Sequence, residues 1–255
     1  MRNRLKSILV FNQNYIGDVV FTLPAIRALR EGYPNSYIEI VLGRNPIEVL
    51  QGNPYADSLT MRPHKLSDKI ALLKKIREKN YDICLSFSSR SVELALFAFL
   101  GRCKRRFGFF NPSTFLFYNF HLKENLENHS ALDYLKLALA AGGKEVPLIP
   151  QIFLSEQDLL KAKEIQRDLH ILGEEKIFAI LLGGSTPFKR WHLPTLKSLL
   201  ARLKDSGKII LFGGKEFRPF GDSLAKEFPN VYNLSGKISL RESLALLKSS
   251  SLFIG

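Results

Sequence analysis

The chain has 255 residues, enough for two ordinary domains or one large one, and either buries a sizeable core. At 45% hydrophobic, 24% charged and 11% aromatic, its composition is that of a soluble globular protein and excludes a disordered chain. A formal net charge of +13 favours polyanionic partners and leaves nucleic acid, an anionic membrane face and a phosphorylated glycolipid open.

The first half alternates short apolar strands with amphipathic helices, the pattern of a parallel sheet covered on both faces. Strands are expected at 7–11, 37–42, 58–61, 81–87 and 105–109, and helices at 18–31, 46–51, 67–79, 91–100 and 129–141. In the first helix Val19, Leu23, Ile26 and Leu29 with Arg30 keep the 3.6-residue spacing of a core-facing stripe, and in 67–79 Ile70, Leu73 and Ile76 or Arg77 share one face. The basic start at 1–6 is followed by an apolar run of only Ile8 to Phe11, too short for a signal peptide. The longest apolar stretch elsewhere, 94–100, is far below the roughly 20 residues that span a bilayer. The expected location is therefore cytoplasmic, with any membrane contact peripheral. Cys84 and Cys103 have no neighbouring histidine or cysteine at metal-ligand spacing and read as buried thiols in a reducing compartment.

The segment 142–151, GGKEVPLIPQ, holds two prolines and no periodicity, and marks a junction between domains over 1–145 and 152–255. A polar helix at 155–169 follows, opened by Ser155 with Asp158 three residues on, a capping-box-like start. The alternation then resumes with strands at 176–182, 208–212, 231–234 and 252–255 and helices at 193–204, 217–228 and 240–249. No repeat at solenoid periods and no low-complexity tract is present.

Three stretches carry chemistry. The first is 12–34, where a strand runs into a glycine turn and then a helix starting near Asp18. In an open α/β sheet, ligands sit in the crevice beyond the carboxyl ends of the strands. Gly17 would let the backbone turn sharply and a substrate come close. Asp18 would aim a carboxylate into the crevice, or would serve only as an N-cap. The second is Gly183-Gly184-Ser185-Thr186-Pro187-Phe188-Lys189-Arg190-Trp191. A glycine turn rich in hydroxyls and backbone N–H groups, followed by two cations, suits a diphosphate, with Lys189 as a point charge; a plain strand-to-helix loop with a solvated cation pair is the alternative. Its spacing matches neither a P-loop nor a dinucleotide fingerprint. The third is Gly213-Gly214-Lys215-Glu216. There two glycines bring the backbone close to a ligand and Glu216 either accepts hydrogen bonds from a ribose diol or merely complements a helix N-terminus.

Taken together, Gly17-Asp18 with Thr22-Leu23-Pro24-Ala25, then Ser185 to Lys189-Arg190-Trp191, then Gly213-Gly214-Lys215-Glu216, then Ser239-Leu240, resemble in order the motifs of the family-9 glycosyltransferases, the ADP-heptose:lipopolysaccharide heptosyltransferases. The resemblance spans nearly the whole chain. It implies a GT-B-like α/β fold of two Rossmann-like domains with mostly parallel sheets, the first on the acceptor side and the second binding the nucleotide sugar. It further implies an inverting transfer of heptose from ADP-heptose to the inner core of lipopolysaccharide.

By that resemblance Asp18 is the general base, and Ser185, Thr186, Lys189, Gly213, Gly214 and Glu216 form the donor site, with Lys189 on the phosphates and Glu216 on the ribose. Gly17, Arg62, Lys65 and Arg90, near strand ends of the first domain, would meet the anionic Kdo-lipid A type acceptor. The same three cations also read as plain surface charges. The scheme calls on no cofactor beyond the donor sugar and on no metal. The implied setting is the inner face of the cytoplasmic membrane. The family pattern continues with a D-[ST]-G-x-x-H segment, whereas this sequence stops at Gly255, so a second domain that is incomplete in this chain is expected, and with it a non-catalytic fragment as the rival reading. Nucleic acid is not expected as a partner, because no recognition strand, helix-turn-helix or zinc spacing is seen.

Overall fold

The computed structural model describes residues 6–44, 46–125, 127–171, 173, 175–184 and 186–255. They form two compact units, Met1–Phe153 and Leu154–Gly255. In the first, β1 (Ser7–Phe11), α1 (Ile16–Gly32), β2 (Tyr37–Leu42), α2 (Ile47–Leu50), β3 (Ser58–Met61) and α3 (Leu66–Lys79) are followed by β4 (Ile83–Ser86), α4 (Val92–Leu100), β5 (Arg105–Phe109), β6 (Phe120–Leu122) and α5 (Ser130–Ala140). The sheet order is β3-β2-β1-β4-β5-β6 and every pair is parallel. Parallel neighbours require crossovers, which cover both faces with helices and force the inner strands to be apolar throughout. Ile8, Leu9, Val10 and Phe11 accordingly have no exposed surface.

The second unit holds α6 (Glu156–Asp168), β7 (Ile177–Leu181), α7 (Leu193–Leu203), β8 (Lys208–Phe212), α8 (Arg218–Glu227), β9 (Val231–Asn233), α9 (Leu240–Lys248) and β10 (Leu252–Ile254). Its parallel sheet runs β10-β7-β8-β9. Each sheet therefore reverses its winding beside one strand, between β1 and β4 in the first unit and between β7 and β10 in the second. Those reversals open a crevice at the carboxyl ends of the strands. The capping box at Ser155 and Asp158 is formed, and Ser239 with Glu242 makes a second one at the start of α9. Asp158 also binds Arg241, which ties the two capped helices together.

Two features depart from the sequence expectation. Strand β6 was not expected; it is three residues long, and its pairing with β5 comes from main-chain groups that no apolar run announces. Helix α3 buries Leu72 and Ile76, while Ile70 is exposed and Leu73 only half-buried. The reason is Glu39, on β2 and 1% exposed. Its Oε1 accepts hydrogen bonds from Lys75 Nζ (2.8 Å) and Thr60 Oγ1 (2.7 Å), and its Oε2 from Tyr81 OH (2.6 Å) and Lys79 Nζ (2.5 Å). Lys75 and Lys79 reach that carboxylate from the side of α3 that buries Leu72 and Ile76, with their stems still partly in solvent. Burial alone would push the Glu39 carboxyl up; the two ammonium groups and two hydroxyls outweigh it and hold the carboxyl at about 2. Cys84 and Cys103 are buried thiols, and burial pushes Cys84 up. Among the described residues no helix is long and apolar enough to cross a membrane.

Candidate active site

In the first unit the crevice at the β1–β4 reversal is built by the turn that leaves β1. Asn12 is buried; its backbone N–H donates to Val41 O (2.8 Å), its Nδ2 to Thr22 Oγ1 (2.9 Å), and its Oδ1 accepts from Gln13 N (2.7 Å). The Thr22 hydroxyl donates in turn to Val19 O (2.7 Å), one turn back in α1. Pro24 lies inside α1, where it lacks an N–H for the helix ladder. Gln13 Nε2 donates to Phe87 O (2.5 Å) and to Tyr134 OH (3.1 Å), so the loop after β1 is fastened to the loop after β4 and to α5.

Helix α1 begins at Ile16, two residues before the expected start. Tyr15 holds the N-cap position without a side-chain cap and is 71% exposed. Asp18 is thus not an N-cap; it stands in the first helical turn, where the helix dipole favours a carboxylate. A Cβ at Gly17 would meet nothing within 4 Å, so core contacts do not explain the glycine there and the space above it is open to a ligand. Tyr134 is pushed up mainly by burial, with the Gln13 hydrogen bond opposing and the Asp18 charge adding.

A cleft of ≈ 980 Å³ lies beyond the ends of β1, β2 and β3, with Arg44, Arg62, His64, Lys65, Lys69 and Glu93 on its walls. The structure brings Arg62 and Lys65 together there. Arg90 is exposed on the loop after β4, and neither it nor Gly17 or Asp18 lines this cleft. Glu93 Oε1 accepts from Arg62 Nε (3.1 Å) and Nη2 (3.0 Å), and Oε2 from Lys69 Nζ (2.5 Å). Burial works against that carboxylate, but the Lys69 and Arg62 hydrogen bonds hold it below the usual carboxylate range. Arg44, Lys69 and Glu93 were not singled out from sequence, because partners 24 to 31 residues apart leave no local pattern.

In the second unit the loop after β7 closes into a tight knuckle. Gly183 bridges Arg190 in antiparallel fashion, Gly184 N donates to Lys189 O (3.1 Å), and Lys189 N donates to Thr186 O (3.0 Å) across a short 3-10 turn at Pro187–Lys189. Gly183 is required for contact: a Cβ would lie 2.9 Å from the Phe217 ring and 3.1 Å from the Arg190 side chain. Trp191 Nε1 donates to Leu181 O (2.8 Å) and its ring packs on the core, anchoring the knuckle to β7. Thr186, Lys189 and Arg190 are exposed at its tip, and Ser185 lies outside the described residues.

The knuckle walls a cleft of ≈ 480 Å³ with Gly184, Lys189, Arg190, His192 and Gly255 on its lining. A smaller cleft of ≈ 210 Å³, lined by Arg190, Trp191 and Glu216, adjoins it. Glu216 sits on a 3-10 turn at Lys215–Phe217, just past β8, and its carboxylate folds back over Gly214, where a Cβ would lie 2.3 Å from Oε2. Gly213 lies against Phe217, whose ring also carries the Arg190 guanidinium at 5.5 Å. Lys189 and Glu216, 27 residues apart in sequence, thus stand on adjoining clefts with Arg190 and Trp191 common to both. Two exposed cations on a glycine turn can hold a diphosphate, and a carboxylate one cleft away can accept from a diol.

Comparisons with known proteins bear on the family and the fold. Residues 69–255 match the description of glycosyltransferase family 9 (heptosyltransferase). The lipooligosaccharide heptosyltransferase 2 of Haemophilus influenzae is 23% identical over 94% of this chain and 75% of its own length. A lipopolysaccharide heptosyltransferase 3 of Escherichia coli is 25% identical over 94% of this chain and 74% of its own length. Among solved structures, the E. coli ADP-heptose LPS heptosyltransferase II superposes with a TM-score of 0.82 at 20% identity, covering 97% of this chain and 78% of that one. E. coli heptosyltransferase WaaC with ADP gives 0.76 at 18% identity, covering 97% and 80%. The α/β architecture of parallel sheets is the GT-B-like one of these structures. The chain belongs to glycosyltransferase family 9, the heptosyltransferase family.

Proposed function

We propose that this glycosyltransferase moves heptose from ADP-heptose to the inner core of a lipopolysaccharide precursor, with inversion at the anomeric carbon. Support comes from the family match and from the named activities of its relatives. The observation that carries the reading is the sharing of Arg190 and Trp191 by the Lys189 and Glu216 clefts. Cations and a carboxylate thus line adjoining clefts past the carboxyl ends of β7 and β8, the edge at which open α/β sheets bind nucleotides.

In the proposed reaction the acceptor hydroxyl attacks the anomeric carbon on the face opposite the departing ADP. Asp18 takes the acceptor's proton, and the charge that grows on the diphosphate is met by Lys189 and Arg190. Glu216 accepts from the ribose hydroxyls. Arg62 and Lys65 bind acidic groups of the acceptor, a Kdo-lipid A type glycolipid, at the inner face of the cytoplasmic membrane. Gly17 leaves room for the acceptor beside Asp18, and Arg90, exposed on the loop after β4, is assigned to the same acceptor. Ser185 and Thr186 add hydroxyl donors, and Gly213 and Gly214 a close backbone approach, on the donor side.

Calorimetric titration with ADP tests the donor assignment. Lys189→Ala and Glu216→Ala should each weaken binding about tenfold. Binding that neither substitution changes overturns the assignment, and a product whose new glycosidic bond keeps the donor's anomeric configuration overturns the inverting mechanism.

A further inference from the structure

One face of the first unit plays no part in the proposed reaction. Residues 94–123 hold five cations (Arg102, Lys104, Arg105, Arg106 and Lys123) and nine aromatic rings, and no carboxylate. The fold gathers them at the edge where β6 is the outermost strand, together with the short 3-10 turn at Phe115–Phe117. Leu116 is 73% exposed and Phe110 54%, and Phe99, Phe115 and Phe120 are exposed beside them.

These side chains meet at that edge in two groups, one on each face of the sheet. Phe110 lies 6.5 Å from the Phe115 ring and 6.3 Å from His121, and Phe107 stacks on Phe120 at 4.6 Å. The Arg105 guanidinium covers that stacked pair at 5.1 and 5.3 Å. Arg106 donates to two carbonyls, Cys103 O and Phe117 O, neutral acceptors that leave its charge uncancelled. Lys104 is paired with Asp82, while Arg102 and Lys123 are exposed at the rim.

Exposed apolar side chains beside an excess of cations mark a surface that meets something both greasy and anionic. The edge strand has three residues, too few to add a partner's strand with register, and cations outnumber carboxylates around the patch, where Asp82 is taken up by Lys104. We propose that this face docks on an anionic lipid bilayer, with Leu116, Phe110 and Phe115 entering the headgroup boundary and Arg102, Arg105 and Lys123 contacting lipid phosphates. The inference goes beyond the proposed reaction and does not rest on it.

Sedimentation of the 255-residue chain with vesicles of phosphatidylcholine, alone or with roughly one-third phosphatidylglycerol, tests it. The chain should bind the anionic vesicles and release with salt. Two double variants, Phe110→Ser with Leu116→Ser and Arg102→Glu with Arg105→Glu, should each weaken binding about tenfold or more. Lys161→Glu with Lys163→Glu on α6, the same change of charge on the other unit, should leave it within about twofold. The proposal is overturned by absent vesicle binding at low salt, by serine variants that bind as wild type, or by an α6 variant that loses as much as the arginine one. It is equally overturned by concentration-dependent self-association that the serine pair abolishes while vesicles go unbound, which would assign the face to a second copy of the chain. Leu116→Trp gives a separate reading should the serine pair misfold: its emission shifts to the blue on anionic vesicles if the residue enters the bilayer and stays unshifted if it does not.

Discussion

Replacing Glu39 by glutamine probes the ion cluster that joins β2 to α3. The side chain keeps its shape, but a carboxylate that accepts from two ammonium groups becomes an amide whose NH2 must face one of them. A carboxyl held at about 2 in place of its ordinary 4.5 contributes roughly 3 kcal/mol at neutral pH, at about 1.4 kcal/mol per pH unit. Lys75 and Lys79 are 44% and 35% exposed, and solvent screening trims this to about 2 kcal/mol. The misdirected amide donor adds about 1 kcal/mol. Glu39→Gln should therefore destabilise the first unit by about 3 kcal/mol near neutral pH, or roughly 6–12 °C in Tm. Urea unfolding followed by far-UV circular dichroism reads the loss, with Trp191, the single tryptophan, reporting on the second unit. The sign in pH follows from the depressed folded-state value: the contribution is complete above 4.5 and disappears as pH falls toward about 2. Wild type and variant should then converge in acid. A variant within about 0.5 kcal/mol of wild type at neutral pH, or a gap that persists unchanged to about pH 3, refutes the argument.

Other expectations follow from the site and the second unit. Asp18→Ala should lower turnover by ~10²–10⁴ while ADP affinity by calorimetry moves less than about twofold; equal losses in both would remove it from proton transfer. Asp158 lies well below the usual carboxylate range, chiefly through its hydrogen bond from Arg241 and also through Ser155. Asp158→Asn should cost the second unit about 2–3 kcal/mol, read by the urea midpoint of Trp191 fluorescence, with the cost shrinking as pH falls below about 4. An unchanged midpoint would mean that the tie between α6 and α9 contributes nothing.

Much of this architecture is legible in the sequence because it rests on local periodicity. The stripe Val19, Leu23, Ile26 and Leu29 is buried as its spacing predicts, and β3 and β8 fall on their expected residues. Glycine pairs after apolar runs also locate the two loops of the second unit. What stayed hidden depends on partners distant in sequence. A glutamate in a strand reads as solvated until lysines 36 and 40 residues away close over it. The start of α1 was placed late because Tyr15 caps it without a side-chain hydrogen bond, leaving no residue signature. Knowing that Arg62 and Lys69 converge on Glu93 required the crossover from β3 to α4, and no spacing encodes that.

The central position of β1 has a consequence for how the chain comes off the ribosome. Ser7 is hydrogen-bonded to Asp82, 75 residues away, and β1 is flanked by β2 and β4 with no hairpin anywhere in the sheet. This central strand is thus synthesised before both of its neighbours and cannot be enclosed until β4 has emerged, at ordinary translation speeds several seconds later. During that interval Ile8 to Phe11 is an uncovered apolar segment, and the nascent chain should be a client for ribosome-proximal chaperones.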